Sequence, residues 1–192
     1  DQEELAAHIL GTSDDSQSLH DSAERLMRRH YREARSVSML TQRFLRRWEH
    51  ERSSTNVPLS EVFCLSEGQL ARCPDEEPPE LADQDVLEAL ELASTHDVLL
   101  DPILEMELAD KVTGWGEQQR EDVSLNERFR RLLTDPHTSE KTSERLLENG
   151  ILTALIPEFE PLVCHVQHDV YHIYTTDIHT LKCLERGRAL VS

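Results

Sequence analysis

"DSAERLMRRHYREARSVSMLTQRFLRRWEH", residues 21–50, decides the fold class. Leu26, Met27, Tyr31, Ala34, Val37, Leu40, Phe44, Leu45 and Trp48 recur at spacings of three and four, the period of a helix with one apolar face. Arg25, Arg28, Arg29, Arg32, Arg35, Arg43, Arg46 and Arg47 mostly occupy the other face. Asp21 stands where a carboxylate caps free backbone N–H groups, and Glu24 three residues on completes a capping box. The spacing predicts one helix of about 28 residues, roughly 42 Å long at 1.5 Å per residue.

Upstream, Leu5, Ile9 and Leu10 form a short apolar pattern, followed by the polar "GTSDDSQS" at 11–18. Downstream, "SSTNVP" at 53–58 ends the helix. In "VFCLSEGQLARC", 62–73, Val62, Phe63 and Leu65 precede Glu67-Gly68 and Leu70 follows, which predicts a β-hairpin near 62–71 with Gly68 at positive φ. "PDEEPP" at 74–79 is a break. Helices are expected again at about 79–94, 102–112, 124–134 and 139–149. Asp101-Pro102 puts proline in a first turn, Ser124 to Glu127 reads as a capping box, and Gly150 stands where a helix ends on a positive φ. A short turn through Leu152–Ile156 then meets Pro157. The expected class is mainly α, a helical bundle with one long N-terminal helix and that small hairpin. Its expected parts are 1–74, an acidic helical linker region over 75–150, and 151–192.

The chain has 192 residues and a formal charge of −18, from 38 acids against 20 bases. Affinity for nucleic acid comes largely from neutralising phosphates, so this balance argues against DNA or RNA as partner. The charge is uneven: residues 21–52 hold nine arginines against five acids, while 75–110 hold 13 acids and no Lys or Arg. Internal pairing of a basic helix with an acidic one is the expected consequence. No apolar run approaches the roughly 20 residues that span a bilayer. The chain opens on Asp1 rather than Met and without a basic-then-apolar leader, as expected of an excised piece of a longer cytoplasmic protein. Cys64, Cys73, Cys164 and Cys183 contain no C-x-x-C pair and read as reduced thiols.

Candidate chemistry concentrates in "HVQHDVYHIYTTDIHT", 165–180, which holds His165, His168, His172 and His179 with Asp169 and Asp177. The dipeptide His-Asp occurs three times. His20-Asp21 reads as a helix cap, His96-Asp97 as a turn, and His168-Asp169 lacks a helix-borne histidine before it, since His137 sits in the turn "TDPHTS". Asp83-Gln-Asp85 lacks the Gly-Ser turn that accompanies such pairs in nucleotidyltransferases and reads as acids in a helix's first turn. No phosphate-binding glycine loop or serine elbow occurs. In 165–180 the expected picture is a helix, a break near 170–176, and a second helix begun by Thr175-Thr176-Asp177 and carrying His179. His165, His168 and His172 could meet at an ion or hydrogen-bond the backbone of a buried break. His168, Asp169, His172 and Asp177 stand as structural residues or secondary metal ligands.

The stretch "ENGILTALIPEFEPLVCHVQHDVYHIYTTDIHTLKCL", 148–184, resembles the entry to the HD domain of the bacterial PII uridylyltransferase/uridylyl-removing enzymes. The residues that carry the likeness are Gly150, Pro157, Glu158, Phe159, Gln167, His168, Asp169, His172, Tyr174, Thr175, Asp177, His179, Thr180 and Leu181. "SAERLMRRHYREARSVSML" is similar to the long helix after that family's nucleotidyltransferase domain, "VFCLSEGQLA" to its hairpin, and "DVLEALELASTHDVLLDP" to the next helical pair. The resemblance spans roughly 20–185. It implies a bifunctional nitrogen sensor in which one domain uses Mg²⁺ to transfer UMP from UTP to a tyrosine of the PII signalling protein. The HD domain hydrolyses that bond, and ACT domains sense glutamine.

By the same resemblance His179 matches the first metal-ligating histidine, whereas the family's His-Asp dyad falls in a later "LxHDIxKG"-like string that these 192 residues do not contain. Neither the Gly-Ser…Asp-x-Asp core nor an ACT domain is found here. The expectation is a non-catalytic fragment with no catalytic residue and no cofactor of its own, magnesium or another divalent metal belonging to the parent enzyme. A stand-alone helical interaction module derived from the family is the alternative. A poly(A)-polymerase-like or CCA-adding relative is a third reading, opposed by the charge.

Overall fold

The computed structural model describes residues 2–10, 16–49, 56–75, 78–166 and 174–190. Its elements are α1 (Gln2–Leu10), α2 (Ser16–Glu49), β1 (Val57–Pro58), β2 (Phe63–Ser66), β3 (Gln69–Arg72), α3 (Asp83–Thr95), β4 (Leu99–Leu100), α4 (Pro102–Thr113), α5 (Glu117–Glu121), α6 (Val123–Thr134), α7 (Glu140–Glu148), α8 (Ile151–Leu155), a 3₁₀ segment (Pro157–Leu162) and α9 (Thr176–Ala189). The chain is mainly helical, as its periodicity predicts, with a small sheet in place of a lone hairpin. Two compact units divide it: residues 1–42 with 159–180, and residues 43–158 with 181–192.

In the larger unit the sheet order is β1-β2-β3-β4. β2 and β3 pair antiparallel from Phe63↔Arg72 to Ser66↔Gln69, and Glu67 and Gly68 between them have φ of 54° and 76°. Two successive positive φ values make the tight primed turn whose twist suits a hairpin. β4 joins parallel to β3, with Leu70 opposite Leu100. A parallel partner needs a long crossover, and α3 supplies it. The two-residue strands β1 and β4 escape a sequence reading because they are too short for an alternation to register.

The core of this unit is Phe63, Leu70, Val86, Leu87, Leu90, Leu100, Leu104, Leu108, Leu125, Leu146 and Ile151, all almost fully removed from water. Asp101 caps α4 by accepting from the Ile103 and Leu104 amides, ahead of Pro102. Gly150, at φ 74°, ends α7 as expected. The start of α6 is corrected. Its cap is Asp122, which accepts from the amides of Ser124 and Leu125, so Ser124 lies inside the helix. Those amides, with the Ser124 hydroxyl, hold the Asp122 carboxyl below its ordinary range. Asp83 and Asp85 do lie in the first turn of α3. Asp85 accepts from the Ala82 amide, and Asp83 takes the Trp115 indole and the Gln119 amide, each at 2.9 Å.

The long helix also begins earlier than Asp21. α2 runs from Ser16, so His20 and Asp21 are interior residues and no cap forms there. Toward its C-terminal end the ion-pairing side is the arginine side. Arg43 Nε and Arg46 Nη2 donate to Glu105 Oε2 at 3.0 and 2.9 Å, and Arg46 Nη1 donates to the Leu100 carbonyl. Phe44 and Leu45 are exposed. Glu105 is a buried acid whose side chain keeps 7% of its surface, so removing it strands two largely desolvated guanidinium groups. A buried ion pair broken on one side loses about 3–5 kcal/mol. Glu105→Ala is expected to lower stability by about that amount, whereas exposed Glu121→Ala stays within about 0.5 kcal/mol of wild type; urea midpoints of the three proteins check this.

Candidate functional site

The smaller unit holds the described part of the histidine-rich stretch. Three arginines of α2 at helical spacing meet it in turn. Arg28 donates from Nε to the Val163 carbonyl at 3.1 Å and from Nη2 to the Glu160 carbonyl at 2.7 Å. Arg32 Nη2 pairs with Glu160 Oε1 at 2.5 Å. Arg35 Nη1 donates to Asp177 Oδ2 at 2.7 Å. Residues 28, 32 and 35 lie on one side of a helix, so the comb follows from the spacing once its acceptors are known.

Asp177 is fully buried. Its Oδ2 also accepts from the Cys164 amide at 3.0 Å, and its Oδ1 from the Ile178 amide at 2.9 Å. Cys164 reaches this position with φ of 55°, a left-handed conformation that a non-glycine residue adopts only when its surroundings enforce it. Burial pushes the Asp177 pKa up, but hydrogen bonds from Arg35, Thr175 and the Cys164 amide outweigh it and leave the carboxyl below the ordinary value. Burial acts in the other direction on the Cys164 thiol, raising it.

His165 is tied on both ring nitrogens. Nδ1 is 2.9 Å from Thr176 Oγ1, and Nε2 is 3.1 Å from Glu24 Oε1. The His165 carbonyl accepts from the Thr176 amide at 2.8 Å. The expected helix around His165 is corrected to an irregular segment: residues 163–164 form a turn and 165–166 have no regular structure, because the Cys164 amide and the His165 carbonyl are turned to the start of α9 instead. That start agrees with the Thr175-Thr176-Asp177 signal. His179 follows on α9 with an exposed side chain, and its amide donates to the Thr175 carbonyl. His168, Asp169 and His172 lie outside the described residues. His96-Asp97 is a turn after α3, with Asp97 at φ 49°.

Among the described residues, no group of three or more His, Cys, Asp or Glu side chains could hold a metal ion. The described part of the stretch therefore does not amount to a coordination sphere: Asp177 has both oxygens taken by donors, and His179 is on the surface. What the geometry does is fasten. Sequence reasoning missed Arg28, Arg32 and Arg35 as the residues that organise this region. Their matched spacing was visible, but Glu160 and Asp177 lie more than a hundred positions away.

With the geometry in hand, the relatives become informative. No family model matches the chain, and no solved structure matches it significantly. A protein of Xanthomonas axonopodis pv. citri named bifunctional uridylyltransferase/uridylyl-removing enzyme is 32% identical over 191 residues, 96% of this chain and 21% of the relative. The enzyme of that name from Xanthomonas euvesicatoria pv. vesicatoria has the same identity and coverage. One from Azospirillum brasilense is 32% identical over 100 residues, 52% of this chain and 11% of its own length. The helical chain with its arginine-fastened segment is thus the homologue of a stretch of a much longer enzyme. These relatives share the name bifunctional uridylyltransferase/uridylyl-removing enzyme, and the chain spans about a fifth of the length of the two Xanthomonas proteins it matches over 96% of its own.

Two measurements check the fastening. Arg35→Met leaves Asp177 buried without its counter-charge and is expected to lose about 3–5 kcal/mol. Arg32→Met, in a pair about half exposed, should lose at most about 1 kcal/mol. Asp177 titrates lower folded than unfolded, so its contribution is complete above the unfolded carboxyl value of about 3.9 and is lost as pH falls through the folded value. Urea midpoints followed downward from pH 5 should therefore fall less steeply in Asp177→Asn than in wild type.

Proposed function

We propose that the chain is the central segment of a bifunctional uridylyltransferase/uridylyl-removing enzyme of nitrogen regulation, joining its two catalytic domains, and that it is non-catalytic alone. The observation that carries this reading is the 32% identity maintained over 96% of the chain while covering 21% of the relative. The string from Gly150 to Leu181 supports a place at the entry of an HD domain. In the complete enzyme His179 would be the first ligand of the HD metal, with the remaining ligands supplied by sequence outside these 192 residues. Magnesium or another divalent ion would there supply Lewis-acid chemistry to the UMP bond. UTP and the PII protein would be the complete enzyme's substrates, in the cytoplasm. No helix among the described residues is long and apolar enough to cross a membrane.

A stand-alone interaction module is the second reading, favoured by one observation. Val37 and Leu40 on α2 are 62% and 59% exposed, and apolar side chains grouped at a surface suit a protein partner. The gene's reading frame beyond Ser192 separates the two, since an HD dyad within some tens of residues belongs only to the first.

The activity test uses the purified chain with Mg²⁺, labelled UTP and the PII protein. No label should pass to PII, and no UMP should leave PII that is already modified. Release by the wild type that is abolished in His179→Ala would overturn the non-catalytic assignment.

A further inference from the structure

The larger unit carries a pair of thiols that the reading above does not use. Cys64 in β2 is opposite Ala71 of β3, and Cys73 follows two residues after Ala71. Side chains two apart on a strand share a face, so Cys64 and Cys73 are diagonal neighbours on one side of the hairpin. The Cys64 thiol donates to the Arg72 carbonyl at 3.4 Å, the carbonyl bonded to the nitrogen of Cys73, which puts its sulfur beside the Arg72–Cys73 peptide. Cys64 is buried and Cys73 half-buried, and no disulfide joins either.

We propose that Cys64 and Cys73 are a redox-modification site that closes to a disulfide under peroxide and reopens with thiol reductant. Cys73, the more accessible sulfur, reacts first. Its thiolate attacks one peroxide oxygen, an S–O bond forms as the O–O bond breaks, and the departing hydroxide is protonated to water. Cys64 then attacks the Cys73 sulfur, forming the S–S bond and breaking the S–O bond. The second hydroxide leaves with the Cys64 proton as water. Two thiols lose two electrons, and one peroxide becomes two waters.

The environments suit these roles. Burial, reinforced by the adjacent Cys73, pushes the Cys64 thiol up to about 11, which makes it a slow first nucleophile and leaves it the resolving partner. Diagonal Cα atoms lie about 7–8 Å apart against roughly 4.4–6.8 Å in disulfides, so closure asks for about an ångström of approach. Cys73 stands one residue past the end of β3, its amide still donating to the Val62 carbonyl at 2.8 Å, so the diagonal relation to Cys64 is kept. A bond closed with some strain is the more easily reduced, which favours reversibility.

The test treats the native 192-residue chain with hydrogen peroxide and alkylates the remaining thiols with iodoacetamide. Two of the four cysteines should resist alkylation, with the mass lower by two hydrogens. After trypsin, the peptide ending at Arg72 and the one beginning at Cys73 should stay joined until dithiothreitol separates them. In Cys73→Ser, Cys64 should survive the same peroxide as a thiol. Recovery of the two peptides unjoined, with Cys73 as sulfinic acid, or cross-links made only through Cys183, would overturn the proposal.

Discussion

A guanidinium stays charged throughout the accessible pH range and carries five N–H donors, so every arginine that a helix turns away from water needs oxygen atoms waiting for it. That requirement organises both units. In the smaller one, Arg28, Arg32 and Arg35 find the Glu160 and Val163 carbonyls, the Glu160 carboxylate and the buried Asp177. In the larger, Arg43 and Arg46 converge on Glu105. Desolvating an unpaired charge is far costlier than exposing a leucine. Over residues 28–46 the arginine side of α2 therefore carries the ion pairs, while Val37, Leu40, Phe44 and Leu45 are half or more exposed.

Asp177 shows how one such pair reaches the start of α9. Its carboxylate gathers a guanidinium, the Cys164 amide and the Ile178 amide, so the chain before α9 and the first turn of α9 share one buried anchor. His179 lies two residues on, at the surface. The acid inside "TTDIHT" acts as a holder, and the histidine is presented outward from a fixed turn. His165 adds a second tie, through Thr176 on one ring nitrogen and Glu24 on the other. In the function proposed above, a segment fastened so closely would offer His179 to a site completed by other parts of a longer enzyme.

Much of the architecture was legible locally. The three-four spacing announced α2, Glu67-Gly68 announced the hairpin turn, Asp101-Pro102 the start of α4, Gly150 the end of α7, and Thr175-Thr176-Asp177 the start of α9. These features depend on residues within one or two turns of each other, where backbone φ, capping and side-chain period act without help from the rest of the chain. The errors were also local in kind. Asp21 and Ser124 satisfy a capping pattern, but the helix simply continues from Ser16 at one site, and Asp122 takes the amides at the other.

Tertiary structure alone decided which side of α2 would pack, that β4 would lie parallel to β3, and that Asp177 would be an internal anchor. Arg35 and Asp177 are 142 residues apart, and no periodicity pairs positions across such a distance. An apolar stripe and an arginine stripe on opposite sides of a helix are equally regular in sequence. Only the placement of carboxylates and carbonyls that can satisfy the guanidinium donors breaks that tie, because a buried charge without a partner outweighs the gain from covering a few apolar side chains.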